Sequence, residues 1–586
     1  MEISNAKVAR ILRNVAAAYT INKIGNIFQI RAYENAADSI EHLTSEIEDL
    51  WREGKLNEVP ALGEKIQGYL DELFKKGAVK HFSDIEKGIP GVIFDLLDIP
   101  GIGPKTAQKI AELGVRDLED LKKKLKDGEL VSKGFSSKIA QNILSGLRQL
   151  SQQGHRMLLP YAANQADKIL SYLKKGPKVV KAHPLGSLRR MVVTVRDLDF
   201  SVSSESPKKV VDYFCQMSAI KRVVDRGENK ATVILTSGIQ VDLLVGQPQS
   251  YGALLQHFTG SKAHNIKLRT LAREKGYSLS EYGVKSMGSR KIEYGKLIKT
   301  ETEEEFYKLL KMEVPPPEIR EDNGEIEAAL EHKLPNLVEF EDIKGDLHLH
   351  SNYPITRPSH SPGADSIESI IQRGKELGYN FIGISDHSPS FNLSKDQIMR
   401  SINKRTKFIQ KLKKSTKSIQ ILNGLEIDIL GNGSLSVPGE ILATLDYCIA
   451  GIHSGHGNDK EVITKRLISA LESPHVDIIS HPTNRLLNER KSSEADWDQI
   501  FKLAAKNNKL LEINAFPNRL DLRDDLVRSA LKYGVKFIIN TDAHQLSQMD
   551  NMLFGVAVAK RGWASKQDIV NTWDWTKIAN WFSIKT

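Results

Sequence analysis

Two aspartates separated by one residue, Asp197 and Asp199, stand at the head of an apolar run in GSLRRMVVTVRDLDF. Because residues i and i+2 of a strand face the same side, the two carboxylates converge. Carboxylates that close repel one another unless cations intervene, and hard divalent ions such as Mg²⁺ or Mn²⁺ prefer oxygen ligands. With Asp242 of SGIQVDLLVG on a neighbouring strand, the pair could hold two metal ions for in-line phosphoryl transfer. The alternative is that these aspartates are turn or edge residues.

Donors for an anion stand just upstream of the aspartate pair. Gly186 and Ser187 offer backbone and hydroxyl donors for a terminal phosphate. Arg189 and Arg190 offer forked, permanently charged guanidinium donors. We therefore expect this stretch to bind a substrate that carries phosphates.

A second set of chemically active residues lies in the C-terminal part of the chain. GDLHLHS places His348 and His350 on one face of a strand, again two residues apart. Further clusters follow at five predicted strand ends, namely Asp386 with His387, Glu426, His453, His481, and Asp542 with His544. Imidazole and carboxylate ligands together suit Zn²⁺, Mn²⁺ or Fe²⁺. A single histidine is more often a satisfied core or surface residue, but six clusters at strand ends favour a metal site.

Two glycine-rich turns in the N-terminal part favour contacts with phosphates. The turn in IPGIGPKTAQKI contains Gly101, Gly103, Lys105 and Thr106, and the turn in VPALGEKI contains Gly63 and Lys65. Glycines allow a tight turn between helices, and the N-terminus of the following helix offers free N–H groups and the positive end of its dipole. The alternative is a helix cap and turn that binds no ligand.

The elements that position these residues must belong to several domains, because 586 residues exceed a single hydrophobic core. The net charge of +10 favours a polyanionic partner. Two cysteines far apart in sequence, Cys215 and Cys448, argue against a disulfide framework and fit a reducing compartment. The chain shows no signal peptide and no run of about 18 apolar residues, so we expect a cytoplasmic protein without a membrane span, and a monomer.

The pattern of apolar and turn residues divides the chain into regions with different predicted secondary structure. Residues 1–150 have a helical pattern, and residues 178–250 are rich in predicted strands. Three prolines open the segment 311–345 and predict a stiffened linker. Beyond this segment, short apolar strands alternate with helices, which predicts a parallel α/β architecture such as a barrel.

The glycine turns resemble the helix-hairpin-helix motif of DNA repair proteins, and the Gly-Ser, paired arginines and Asp-x-Asp resemble the nucleotidyltransferase palm of family X DNA polymerases. Residues 254–284 resemble the segment of that family which holds the incoming nucleotide. The resemblance implies nucleotide contacts from Gly186, Ser187, Arg190, His257, Phe258, Gly260 and Asn265. It also implies a template contact from Arg269 and DNA-backbone contacts from both glycine turns.

The sequence departs from the family pattern at three positions. Met191 and Arg196 stand where the repair polymerase has glycines, and an arginine next to the aspartates could clash with the nucleotide or swing out and bind a phosphate. Tyr69 stands where the family's lyase domain has its Schiff-base lysine. Because that chemistry needs an amine, we expect no lyase activity from this position, although Lys65 lies nearby.

The C-terminal histidine series resembles the PHP (polymerase and histidinol phosphatase) domain, which is a distorted barrel with a trinuclear metal site. The whole chain therefore resembles a bacterial or archaeal-type PolX protein. The implied ligands are His348, His350, His360, His387, Glu426, His453, His481, Asp542 and His544. Where the family often has an aspartate after the His-x-His, this sequence has Pro362, and we expect His360 to replace that ligand.

The resulting expectation is a multidomain α/β protein with helix-hairpin-helix elements, a palm and a PHP barrel. The expected parts are a lyase-like domain (1–85), a helix-hairpin-helix domain (86–150), the palm (151–250), a nucleotide- and template-binding subdomain (251–312), a linker (313–342) and the PHP domain (343–586).

Three hypotheses about function stay open. The first is a repair enzyme that fills gaps in DNA with dNTPs and removes 3′ ends at the PHP metals, with cleavage of abasic sites as a further activity there. The second is a PHP nuclease or phosphatase whose polymerase part has decayed into a DNA-binding arm, with small phosphate monoesters as an alternative substrate. The third is a DNA-binding scaffold without catalysis, which the retained ligands in two separate domains disfavour.

Overall fold

The computed structural model describes residues 3–584 except residues 4, 42, 44–46, 60, 100–101, 134, 137–138, 141–142, 145–146, 148–155 and 288–294. The chain divides into two compact units. The first comprises Met1–Gly176, Val195–Leu198 and Val211–Leu243, and the second comprises Pro177–Thr194, Asp199–Val210 and Leu244–Thr586.

Short helices build the N-terminal part of the first unit, as the helical pattern predicts. Their ends carry typical signals: the Asp117 side chain caps one helix by accepting a hydrogen bond from the Asp120 N–H, and Gly77 ends another at φ +75°. Their apolar faces form two separate cores. The helices are Asn5–Asn22, Ile27–Glu41, Ile47–Arg52, Glu64–Lys76, Lys80–Glu86, Gly91–Leu97, Pro104–Glu112, Leu118–Lys126, Glu129–Ser132 and Leu159–Leu173, with a 3₁₀ turn at Leu56–Glu58.

A five-stranded sheet of order β2-β4-β7-β6-β5 carries Asp199 on β4 and Asp242 on β7, whereas Asp197 precedes β4 and lies outside the sheet. Its strands are β2 (Lys181–Pro184), β4 (Leu198–Ser203), β5 (Ile220–Arg226), β6 (Lys230–Leu235) and β7 (Gln240–Gly246). Burial alternates along β7, so that Val241 and Leu243 enter the core while Asp242 faces the other side. A separate pair joins β1 (Met157–Leu158) to β3 (Thr194–Val195), and the helices here are Gly186–Arg189 and Pro207–Phe214.

The next region combines helices with a small antiparallel sheet. Its helices are Tyr251–Thr259, Lys262–Glu274 and Glu303–Leu309, preceded by a 3₁₀ turn at Pro248–Ser250. The sheet has the order β10-β9-β8, formed by β8 (Tyr277–Ser280), β9 (Gly283–Ser286) and β10 (Leu297–Ile298). These elements share one apolar core with Ile326 and Ala329 from the segment that follows.

The proline-rich segment 313–342 is packed within the second unit along its length. It contains a 3₁₀ turn at Pro317–Ile319, the helix Glu325–Leu330 and a 3₁₀ turn at Phe340–Asp342. Ile319 and Leu337 pack with Trp563 of the C-terminal region. Arg320 is fully buried, and its Nη1 donates to Glu303 Oε1 at 2.6 Å. An apolar contact with Trp563 and a buried ion pair with Glu303 therefore fix the path of this segment.

The C-terminal region is a distorted parallel barrel. Its strands are β11 (Gly345–Asp346), β12 (Phe381–Ile384), β13 (Gln420–Asn423), β14 (Glu426–Asp428), β15 (Ile449–Gly451), β16 (Ile478–Ile479), β17 (Leu510–Asn514) and β18 (Phe537–Asn540). They form sheets of order β11-β12-β13 and β14-β15-β16-β17-β18, all parallel. Bridges from His387 to Glu426 and from Leu349 to Ala543 join the two sheets at both edges.

Helices cover the barrel, as alternating strands and helices predict. They are Ile367–Glu376, Lys395–Ser415, Gly439–Leu442, Lys460–Glu472, Trp497–Lys506, Asp524–Leu531, Met552–Arg561 and Trp575–Trp581, with 3₁₀ turns at Leu546–Asn551, Lys566–Asp568 and Val570–Thr572.

Candidate metal centre and nucleotidyl-transfer site

The histidine and carboxylate clusters of the barrel meet at the carboxyl ends of its strands. His348 and His350 follow β11, His387 follows β12, and His453 and His481 follow β15 and β16. Asp542 and His544 follow β18, whereas Glu426 is the first residue of β14 and thus begins a strand. Parallel strands bring these positions to one rim of the barrel, which is where barrel active sites are built.

Glu426 is the centre of the cluster. Its carboxylate oxygens lie 2.9–3.5 Å from a ring nitrogen of each of five histidines, namely His348, His350, His387, His453 and His481. Four overlapping groups have ligand atoms within 4.8 Å of one another: His348, His350, Glu426 and Asp542; His350, His387 and His544; Glu426, His453 and His481; and His360, Asp428 and His453. All nine ligands expected from the sequence therefore belong to at least one group.

The donor atoms of this cluster fit metal ions. Five buried atoms make no hydrogen bond of suitable geometry within the described part of the chain, although His387 Nδ1 and His453 Nδ1 lie 2.9 and 2.7 Å from the carboxylates of Glu426 and Asp428. These atoms are His348 Nε2, His350 Nδ1, His387 Nδ1, His453 Nδ1 and Glu426 Oε2. Leaving such atoms unsatisfied is costly, and ions of the Zn²⁺, Mn²⁺ or Fe²⁺ type accept nitrogen and carboxylate ligands together. Because Glu426, His350 and His453 each belong to two groups, the arrangement suits several neighbouring ions.

In the cluster, carboxylates and imidazole rings lie so close together that each shifts the pKa values of the other. Burial alone would raise the pKa of Glu426, but His348, His387 and His453 hold it well below its ordinary value. Burial alone would lower the pKa of His348, but Glu512, Glu426 and Asp542 raise it well above its ordinary value. The centre therefore combines ionised carboxylates with a concentration of imidazole rings.

Two carboxylates of the centre, Asp428 and Glu512, were not predicted from the sequence. Asp428 lies 3.0 Å from His360 Nε2 and 2.7 Å from His453 Nδ1. It follows Glu426 by two residues on β14, so the period-2 spacing in NGLEIDIL was the available signal. Glu512 is buried on β17, with its Oε1 2.6 Å from His348 Nδ1, which leaves Nε2 of that ring to face the cluster.

Asp386, which the sequence places beside His387, has a different role. Its Oδ2 accepts a hydrogen bond from Arg405 Nε at 2.6 Å, and its Oδ1 accepts from the Ser351 N–H and hydroxyl at 2.5 and 2.9 Å. Arg405 is fully buried and also donates to the Ile384 and Gly424 carbonyls. Asp386 thus fixes the loop that follows the His-x-His.

In the palm region, Asp242 and Asp199 each contact specific protein groups. Asp242 accepts hydrogen bonds from the Thr232 hydroxyl and, at 2.8 Å, from Gln240 Nε2. Gly186 has φ +57°, and a Cβ at that position would lie 2.7 Å from Asp199 Oδ2, so the position requires glycine. The turn that begins at Gly186 is thereby held against Asp199.

The paired arginines are already engaged by protein groups. Arg189 donates to the Thr259 hydroxyl and to Glu303 Oε2, both at 2.5 Å. Arg190 donates from Nε to Glu321 Oε1 at 3.0 Å and from Nη1 to the Thr259 carbonyl at 2.6 Å. A Cβ at position 260, where Gly260 has φ +72°, would lie 3.0 Å from Arg190 Nη1. The Arg190 side chain is 13% exposed, so part of it reaches solvent.

The predicted nucleotide-holding residues lie close together on two consecutive helices. Asn265 Nδ2 donates to the His257 carbonyl at 2.7 Å, and its Oδ1 accepts from Gln256 at 2.8 Å. Arg269 Nη2 lies 3.4 Å from His257 Nδ1, and the rings of His257 and Phe258 have centroids 4.8 Å apart. The structure therefore brings this set together on one surface.

Comparison with known proteins agrees with this arrangement. The chain matches a helix-hairpin-helix family over residues 3–79, a tandem helix-hairpin-helix family over 93–149, the DNA polymerase beta thumb over 254–321 and the PHP domain over 346–516. It is 35% identical to the DNA polymerase/3′-5′ exonuclease PolX of Bacillus subtilis (strain 168) over 571 residues, which are 96% of each chain. The chain belongs to the PolX family.

Shorter relatives of this PolX chain are named as phosphatases. A probable phosphatase of Clostridium acetobutylicum is 29% identical over 30% of the chain and 70% of its own length. A probable phosphatase of Thermoanaerobacter sp. (strain X514) is 28% identical over 28% of the chain and 67% of its own length.

Two of the three departures from the family pattern, Met191 and Arg196, lie near the palm aspartates in this PolX chain. Met191 has φ +53°, a conformation that glycine adopts without strain, which explains why a glycine suits the position. Arg196 is 69% exposed, and its Nε and Nη2 lie 3.3 and 3.2 Å from Asp197 Oδ2. The arginine therefore lies along a predicted catalytic carboxylate.

In the N-terminal part of this PolX chain, Tyr69 is packed in an aromatic group. Its ring stacks on His81 at a centroid distance of 4.8 Å and meets Phe82 edge-on at 5.2 Å. Lys65 is exposed on the same helix, one turn before Tyr69. The position expected for a Schiff-base lysine thus holds a packed phenol.

Both glycine turns precede solvent-facing helix starts. Gly63 and Gly103 are the N-cap residues of Glu64–Lys76 and Pro104–Glu112, and a Cβ at either position would meet nothing within 4 Å. Lys105 is exposed and Thr106 half-buried. Gly101 lies outside the described residues.

Two simpler expectations are confirmed. Cys215 and Cys448 are free thiols. Within the described part of this PolX chain, every helix is too short or too polar to cross a bilayer.

Proposed function

We propose that the chain is a DNA repair enzyme that joins template-directed gap filling to 3′–5′ exonuclease action, with possible cleavage at abasic sites. The observation that carries the proposal is the Glu426-centred cluster of buried, unsatisfied ligand atoms in a chain that also retains Asp197, Asp199 and Asp242. The relative from Bacillus subtilis bears both activities in its name.

Divalent cations would be held by Asp197, Asp199 and Asp242 in the palm (Mg²⁺ or Mn²⁺) and by the barrel cluster (three ions of Mn²⁺, Zn²⁺ or Fe²⁺). When bound, such ions activate an attacking oxygen and neutralise charge that develops on the phosphoryl group. The remaining contributions come from the chain itself.

In the palm, the Gly186 turn offers backbone N–H groups and the Ser187 hydroxyl to the triphosphate of an incoming dNTP. Arg190 directs the exposed part of its side chain to the same anion, and Gly260 leaves room for that guanidinium. His257 and Phe258 form the wall for the sugar, while Asn265 and Arg269 face the base-paired side. Gln256 and the His257 carbonyl orient Asn265.

In the barrel, the chain orients its ligands and excludes bulk water. Glu512 fixes the ring of His348, and Asn514 Nδ2 donates to Asp542 Oδ2 at 3.1 Å. His360, His453 and His544 are the partly exposed histidines of the cluster, and the primer 3′ end would enter beside them.

DNA contacts elsewhere follow from charge and helix starts. The glycine turns with Gly63, Lys65, Gly101, Gly103, Lys105 and Thr106 would bind the phosphate backbone without reading sequence. The net charge of +10 supplies salt-dependent affinity for gapped or nicked duplex. We propose a monomer that acts in the cytoplasm.

A second candidate function rests on Arg196. Its contact with Asp197 and the phosphatase names of the shorter relatives favour a nuclease or phosphatase whose palm only holds DNA. Isothermal titration of the full chain with a non-hydrolysable dNTP and Mg²⁺, beside Asp199→Ala, separates the two. Binding that weakens at least tenfold in the variant supports an active palm, and absence of binding to both proteins supports the second candidate.

A further inference from the structure

Two arginines, Arg490 and Arg519, lie beside the metal cluster. Arg519 Nε lies 3.7 Å from Asp542 Oδ2. Arg490 Nε donates to the Asn484 carbonyl at 2.9 Å, and Asn484 Oδ1 lies 3.3 Å from His481 Nδ1. Arg519 therefore contacts a residue of the metal centre, and Arg490 contacts a residue that neighbours one.

Hydrogen bonds join the two loops that carry these arginines. Arg485 Nε donates to the Arg519 carbonyl at 2.8 Å, and its Nη2 donates to the Leu520 carbonyl. The Leu487 N–H donates to the Asn518 carbonyl at 2.6 Å. The loops that carry Arg490 and Arg519 are thus joined, and the two cations are held in place rather than left to move apart.

This arrangement concentrates positive charge. Arg490 and Arg519 repel one another, and burial together with Arg519 lowers the pKa of Arg490 to about 10, against weaker contributions from Glu489 and Asp521. Within the described residues, the Nη nitrogens of both arginines have no hydrogen-bond partner. His456 lies close to the same groups, and its Nδ1 is buried without a partner in the described chain.

The nearby carboxylates are engaged elsewhere. Asp521 is buried and accepts hydrogen bonds from the Thr483 N–H and hydroxyl at 3.0 and 2.7 Å. Asp542 lies 3.1 Å from His350 Nε2. The carboxylate that Arg519 approaches, at 3.7 Å, is thus shared with a histidine of the metal cluster. Two forked cations next to a metal centre match the geometry of a phosphate with several free oxygens.

We propose that Arg490, Arg519 and His456 form a binding site for a phosphate group of the nucleic acid substrate beside the metal centre. This inference rests on the proposed nuclease function. The site would hold a phosphate near the 3′ end while the reaction proceeds at the metal-facing side. It therefore contributes to substrate binding, and its loss raises KM more than it lowers kcat.

Kinetics of the full, metal-loaded chain on a labelled single-stranded oligonucleotide test this site. We expect Arg490→Gln and Arg519→Gln to raise KM about 10- to 100-fold with kcat changed less than about threefold, and Arg490→Lys to recover part of the loss. The matched control is Arg400→Gln, because Arg400 lies exposed on the helix Lys395–Ser415. Values of KM equal to the control at unchanged metal content would overturn the proposal.

A measurement without turnover separates this inference from the proposed function. Inorganic phosphate is titrated into the metal-loaded proteins, and the rise in Tm is followed. Wild type and Arg400→Gln should respond at the same phosphate concentration, and Arg490→Gln should need at least about tenfold more. An identical response of all three proteins contradicts the site, whereas a normal response without any DNA degradation contradicts only the nuclease proposal.

Discussion

Arg561 of the C-terminal barrel donates from Nη1 to the backbone carbonyl of Arg190 at 2.9 Å. The carboxylate of Glu321 is shared between the two arginines, with Oε1 3.0 Å from Arg190 Nε and 3.1 Å from Arg561 Nη1. The arginine proposed to bind the triphosphate is therefore held by the proline-rich segment and by the barrel. These contacts join Arg190 directly to the PHP region.

Glu321→Gln tests this link. Because the carboxylate draws Arg190 away from an incoming anion, its loss should lower KM for dNTP by about three- to tenfold in primer extension. Glu318→Gln is the matched control, since Glu318 pairs with Lys560 and not with Arg190. An unchanged or raised KM in Glu321→Gln would show that the carboxylate does not compete with the nucleotide.

The buried pair of Glu303 with Arg320 and Arg189 predicts a pH-dependent stability. Burial would raise the pKa of Glu303, but Arg320 and Arg189 outweigh it and lower the pKa to about 2 from an ordinary value of 4.5. A depressed pKa contributes stability that is complete above about pH 4.5 and is lost as pH falls towards 2. Glu303→Gln should therefore lower the free energy of unfolding by about 3 kcal/mol at pH 7 and by less as pH falls below 4.5.

Urea unfolding at several pH values measures this difference. Glu304→Gln serves as the control because Glu304 is exposed on the same helix. A difference between wild type and Glu303→Gln that stays constant down to pH 3 would contradict the assigned pKa.

Glu512→Gln tests the carboxylate that orients His348. Removing the charge weakens the orientation of a metal ligand, so affinity for Mn²⁺ or Zn²⁺ should fall about 10- to 100-fold. Competition with a chelator, followed by elemental analysis, gives the affinity. Glu494→Gln, at an exposed position of the same region, should bind as wild type. Equal affinity in both variants would reduce Glu512 to a structural residue.

Asp428→Asn and His360→Ala test the most exposed of the four ligand groups. Because these side chains share that group with His453, each variant should lose about one metal ion per chain while keeping the others. Elemental analysis after dialysis gives the count. A full count in His360→Ala would remove that histidine from the ligand set.

Much of the histidine and carboxylate cluster of the barrel could be predicted from sequence because period-2 spacing on strands is a local signal. It identified His348 with His350, and it was also present in Glu426 and Asp428. Glu512 could not be found this way, because its partner His348 is 164 residues distant and the two meet only when the barrel closes. Arg405, which turns Asp386 away from a ligand role, likewise acts through tertiary contact.

The packing of residues 313–342 could not be predicted from the sequence either. Prolines predict a stiff segment, but its packing depends on Trp563 and Glu303, which lie on other elements. The strain at Met191 also depended on the turn in which it lies, since only the backbone shows φ +53°.

The central claim, two separate active sites in one chain, is tested most directly by one gel assay. Purified protein acts on a labelled primer at a one-nucleotide gap with Mg²⁺ or Mn²⁺, with and without dNTPs, beside Asp199→Ala and His350→Ala. The account predicts that Asp199→Ala loses extension and keeps shortening, and that His350→Ala loses shortening and keeps extension. Shortening without extension in the wild-type protein, or loss of both activities in either variant, would contradict it.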